Sequence, residues 1–115
     1  MENAMENNIL KTEYSFRFDT LRQNRVEASF HKYGPAKKNF DGYHTKALET
    51  MQKCIDKYKE TKNTEYLCDA ANYLMFEFMY PSLEGAHFRA TDSNESAGIV
   101  GFTVKDLERE VAEHW

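Results

Sequence analysis

The chain has 115 residues, 41% of them hydrophobic and 30% charged, which suits one domain with one core and is too short for two ordinary ones. Nineteen acids against fifteen bases leave a net charge of −4 with both signs interspersed, so no basic field draws the protein onto phosphate backbones and non-specific nucleic-acid binding is excluded. No apolar run reaches the length of a membrane span, and the opening MENAMENNIL lacks the charged and apolar regions of a signal peptide, so the expectation is a cytoplasmic protein without a membrane role.

Two cysteines, Cys54 and Cys68, stand at no motif spacing and both fall in apolar helical patterns, which reads them as small buried thiols rather than a disulfide or metal pair. Two prolines and five glycines against 14% aromatics favour a mostly helical domain.

Residues 1–11 are polar and unpatterned and read as a flexible N-terminal tail, with 12–115 as a single helical domain. From Thr12, a possible cap, a first helix is expected over 12–33. Tyr14, Phe18, Leu21, Arg25 and Ala28 share one face, and Gly34-Pro35 ends the ladder. Arg25 lies inside that apolar stripe, where a guanidinium either snorkels to the rim or finds an acid.

Asp41 can cap a second helix, 41–62, whose stripe His44, Ala47, Leu48, Met51, Cys54, Ile55 and Tyr58 follows the i, i+3, i+4, i+7 spacing. A third, 64–80, carries Leu67, Ala70, Ala71, Leu74 and Phe78 on one face, Tyr66, Tyr73 and Tyr80 on another, and further apolar residues behind. A helix apolar over most of its circumference belongs at the centre. Glu77 falls among its aromatic positions and needs a partner, for which Arg25 is the candidate, giving an expected buried Arg25–Glu77 pair.

Pro81 ends the third helix, and 81–102 has no sustained periodicity. A loop this long is functional or disordered, and its His87, Phe88, Arg89 and TDSNES composition points to a structured one. Thr103 to Asp106 has the capping-box form and starts a last helix, 103–114, with Val104, Leu107, Val111 and Trp115 on one face. The fold expected is therefore all-α: four helices packed around the third, with one long structured loop.

Phosphate-binding glycine loops, nucleophile elbows and metal-ligand spacings are missing from the sequence. The chemistry that remains is polar: Asp69 and Asn72, three apart on the central helix, with His87, Arg89, Asp92 and Glu95 on a loop long enough to fold back over them. Such a set binds a ligand or partner, or simply staples the loop to its scaffold.

The segment from Ala47 to Tyr80, ending EYLCDAANYLMFEFMY, resembles the helix pair of the all-α, MazG-like NTP pyrophosphatases, in which a D-x-x-x-Y/F-L pattern supplies a magnesium-binding aspartate. The resemblance implies Asp69, followed by Asn72-Tyr73-Leu74, as that ligand, with Glu65 and Glu49 as companions, Mg as cofactor, and Arg89 or Arg25 on the phosphates. The family's E-x-x-E pair on the preceding helix is not reproduced, since Glu49 has no second acid at that spacing. HKYG and AHFRATDSNESAG also look like segments of small proteins from phages and prophages of Gram-positive bacteria. The leading expectation is a small non-enzymatic binding or accessory protein, without cofactor, contacting a protein or small molecule through the 81–102 loop; the many tyrosines also suit a homodimer. A divergent Mg-dependent nucleotide pyrophosphatase is the alternative.

Overall fold

A computed structural model describes residues 4–41, 44–101 and 104–114 of the chain. It is all-helical, with α1 (Ala4–Glu13), α2 (Phe16–Tyr33), the single turn α3 (Ala36–Asn39), α4 (Ala47–Thr61), α5 (Glu65–Met79), a 3-10 turn (Ser93–Glu95) and α6 (Val104–His114). No strand occurs among the described residues.

Each boundary has a local cause. Residues expected as a loose tail form α1 from Ala4, and the chain then breaks at Tyr14-Ser15 instead of running on from Thr12. Ser15 rather than Thr12 is the cap of α2, its Oγ accepting the Phe18 amide at 3.0 Å while Thr12 Oγ1 donates back to the Ile9 carbonyl. At the other end Gly34 takes φ 84°, and its amide donates to the Phe30 carbonyl at 2.8 Å. That backbone conformation favours glycine, and Pro35 then prevents continuation.

Asp41 does not start the second helix. Its carboxylate accepts the His44 amide at 2.9 Å and contacts the His44 ring, forming a local turn, so α4 begins only at Ala47 and His44 lies outside it. Between these helices α3 carries Phe40 inward, where its ring stacks on Phe76 with centroids 4.6 Å apart. Phe40, Ala47 and Phe76 form the buried cluster, with Val26, Ala36, Tyr73, Met75 and Tyr80 packed around it. Here three aromatic rings meet, since Tyr73 approaches Phe40 edge-on at 5.9 Å.

α5 is the middle element, packed by α4 on one flank and α2 on the other. Lys62 closes α4 in the left-handed region, φ 62°, and Asn63 Oδ1 receives the Glu65 amide at 3.0 Å, which turns the chain tightly into an antiparallel α4–α5 hairpin. α2 is also antiparallel to α5, because Arg22 reaches Asn72 and Met75 while Arg25, further along, reaches the earlier Asp69 and Glu65. The thiols are free, Cys68 buried and Cys54 half-buried, and burial pushes both above their usual pKa.

Beyond Tyr80 the expected packing stops. Every residue from Pro81 to Gly101 is exposed, and the main helix packing among the described residues is that of α4 on α5 and α2 on α5. The loop has local structure of its own but does not lie on the helices. The physical reason is its lack of an apolar anchor: Phe88 is 80% exposed and Val100 wholly so. The capping-box Thr103 and the terminal Trp115 lie outside the described residues.

Candidate functional site

Asp69 and Asn72 sit on the wall of a cleft of about 320 Å³ between α2, α3 and α5. Val26, Phe30 and Tyr33 of α2, Phe40 after α3, and Tyr73 and Phe76 of α5 supply its largely aromatic surface, while Ser29, Asn39 and Thr45 add hydroxyl and amide groups. The far wall is stitched together locally: Asn39 Nδ2 donates to the Tyr33 carbonyl at 3.1 Å, and the Thr45 amide donates to the Asn39 carbonyl at 3.0 Å. The sequence reading passed over this wall because AKKNF carries no periodic pattern; its one signal was a phenylalanine isolated among polar residues.

Asn72 is the unusual group. It is only 5% exposed, and its Nδ2 donates to the Arg22 main-chain carbonyl at 2.9 Å, tying α5 to α2. That contact fixes the amide's orientation, since the reverse would set two oxygens face to face. Its Oδ1 then has no hydrogen-bond partner. Leaving a buried acceptor unmatched costs about 1–3 kcal/mol.

At the rim, Arg25 Nε and Nη2 donate to the two carboxylate oxygens of Asp69, both at 3.0 Å, and Arg25 Nη1 lies 3.7 Å from Glu65. The hydrogen bonds to Asp69 and the charges of Asp69 and Glu65 hold the guanidinium above its usual pKa. One cation thus stands between two carboxylates. This corrects the expected Arg25–Glu77 pair: Glu77 instead accepts the Ser82 amide at 2.7 Å and the Ser82 hydroxyl at 3.0 Å, closing the C-terminal end of α5. Arg25 was not free for Glu77 because the antiparallel register sets it about two turns nearer the start of α5. Tyr73, whose hydroxyl burial pushes above the usual phenol pKa, stays neutral on the cleft wall.

The loop residues expected to close over this edge do not reach it, and none of His87, Arg89, Asp92 or Glu95 lines the cleft. They bond to one another and to their own backbone. His87 Nδ1 donates to the Gly85 carbonyl at 2.9 Å, Arg89 pairs with Glu95, and Asp92 Oδ1 accepts the Asn94 amide at 2.9 Å to cap the 3-10 turn. Arg89 keeps the Glu95 carboxyl below its usual pKa.

Of the acids implied by the pyrophosphatase resemblance, Asp69 and Glu65 converge on Arg25, whereas Glu49 is exposed on α4. No group of three His, Cys, Asp or Glu side chains is placed to hold a metal ion among the described residues. No protein-family model matches the chain, and no curated protein or solved structure matches it.

Proposed function

We propose that the protein is a binding protein that captures a small, flat, uncharged molecule carrying an N–H or O–H donor in the cleft between α2, α3 and α5. The observation that carries this reading is a largely aromatic cleft whose walls also present the polar groups of Ser29, Asn39, Thr45 and Asn72. A volume of about 320 Å³ falls at the small end of ligand sites, which are mostly apolar with a few placed polar groups. Phe40, Tyr73 and Phe76 offer ring faces and edges to a planar guest. Asp69, with both oxygens engaged by Arg25, serves better as a fixed wall than as a base. This moves the expected binding activity from the 81–102 loop to the helical edge that the loop was expected to cover.

Thermal unfolding with adenine, adenosine and guanosine tests the reading, because a ligand that binds only the folded state raises the midpoint, by about 2.7 kcal/mol of stability at a hundred times Kd. Ser29→Phe, at an exposed position on the cleft wall, should leave the unliganded midpoint unchanged and remove the shift. Absence of any shift with the three neutral probes counts against the reading. A shift produced only by a nucleoside triphosphate with magnesium, and lost in Asp69→Ala, would assign the site to the pyrophosphatase reading instead.

A further inference from the structure

α5 has two apolar sides, and the helices cover only one. At 100° per residue, Asp69, Asn72, Tyr73 and Phe76 face the cleft, and Leu67, Ala71, Leu74 and Phe78 fall on the opposite side. Leu74 is 50% and Phe78 73% exposed, while Leu67 and Ala71 are half-buried. The stripe contains no charge, and its 4-3-4 spacing is that of the a and d positions of a heptad seam, with Ala71 permitting close approach of another helix.

A second apolar stripe lies in α6. Val104, Leu107 and Val111 repeat at 3-4 spacing in an eleven-residue helix that also carries four acids and two bases. A helix of that length is marginal in water without a surface to pack on, yet Val111 is 51% exposed and α6 stands at the end of a wholly exposed arm. The two stripes match in type and spacing.

The single chain is also too open. Its radius of gyration is 17.6 Å, against roughly 13 Å for a compact domain of this length. Its accessible surface is 9992 Å² for 13.5 kDa, about 3,500 Å² more than the roughly 6,500 Å² of a compact monomer that size. The excess is several times the roughly 800 Å² per partner that a stable interface needs.

We propose that two copies of this chain associate about a two-fold axis, α6 of each packing on the Leu67, Ala71, Leu74 and Phe78 face of the other's α5. Each copy offers one α6 and one bare α5 face, so reciprocal exchange satisfies both pairs and closes the assembly at two. The exposed arm, which does not turn back onto its own helices, is what carries α6 across. The cleft lies on the other side of α5, and the dimer does not depend on it.

Sedimentation equilibrium on the full chain tests the exchange, with an expected mass of about 27 kDa, twice 13.5 kDa. The double substitution Leu74→Glu with Phe78→Glu, and separately Val111→Glu, should each give monomers whose far-ultraviolet dichroism stays helical, because all three side chains are exposed in the single chain. Mixing the two variants should restore a dimer containing one of each, since the α6 of the first then finds the intact α5 of the second. A monomeric wild type overturns the proposal, including the case in which the same substitutions destabilise that monomer by freeing α6 from its own α5. Dimers that survive either variant, or variants that fail to recombine, overturn it equally.

Discussion

Replacing Arg25 by Met removes the guanidinium while keeping the length of the side chain, and it exposes the register of α2 on α5 to measurement. Two charge-assisted hydrogen bonds at 3.0 Å join Arg25 to Asp69, and Glu65 stands 3.7 Å away. Asp69 is 20% exposed and Arg25 43%. An exposed pair contributes about 0.2–1 kcal/mol, and bidentate geometry with a partly sheltered carboxylate places this one near the top of that range. The mutant also leaves Asp69 and Glu65 repelling each other, so the expected loss is about 1–2 kcal/mol, or roughly 4–8 °C in Tm for a domain of this size. Urea unfolding followed by dichroism, applied to Arg25→Met, Asp69→Asn and the double mutant, should give a coupling of about 1 kcal/mol that shrinks in high salt. The same cycle with Glu77→Gln in place of Asp69→Asn should give none, because Glu77 is held by Ser82. A coupling to Glu77 as large as that to Asp69 would refute the register and restore the pairing expected from the helical wheel.

Lys62 ends α4 as the one described non-glycine residue at positive φ, 62°, so Lys62→Gly should raise stability by up to about 1 kcal/mol in the same urea assay by relieving the left-handed backbone. In the arm, the Glu95 carboxyl is held below its usual pKa by Arg89, and a depressed acid favours the native arrangement above its unfolded value and loses that effect as pH falls through the folded one. Proton NMR of Arg89 and the Ser93–Glu95 turn should therefore be constant from neutral pH to the ordinary glutamate range and change only below it, and Glu95→Gln should abolish the transition.

What the sequence made legible follows the reach of each interaction. α4 and α5 were readable because their stripes are long and regular, and the Gly34-Pro35 stop because it depends on two adjacent residues alone. The start of α2 was misplaced because Thr12 and Ser15 both suit a cap, and only the bond from Phe18 to Ser15 decides between them. The Arg25–Asp69 pair was beyond a helical wheel, which gives the direction in which a side chain points but not how far one helix slides along another; a shift of about two turns exchanged Glu77 for Asp69. The cleft depends on Phe40, a residue without periodic neighbours that reaches the core through a turn stitched by Asn39 and Thr45. The stacking of Phe40 on Phe76 is a long-range contact, and no short window of the sequence contains it. Asp69 and Asn72 were nonetheless found, because two polar residues on an otherwise apolar helix are visible in any register, and a polar edge on a central helix must face a partner, a ligand or water. The apolar breadth of α5 was equally legible, and burial follows from it only once something covers the Leu74 and Phe78 side. Within one chain Leu74 and Phe78 stay exposed, so apolar breadth alone does not carry every face of a helix into the core.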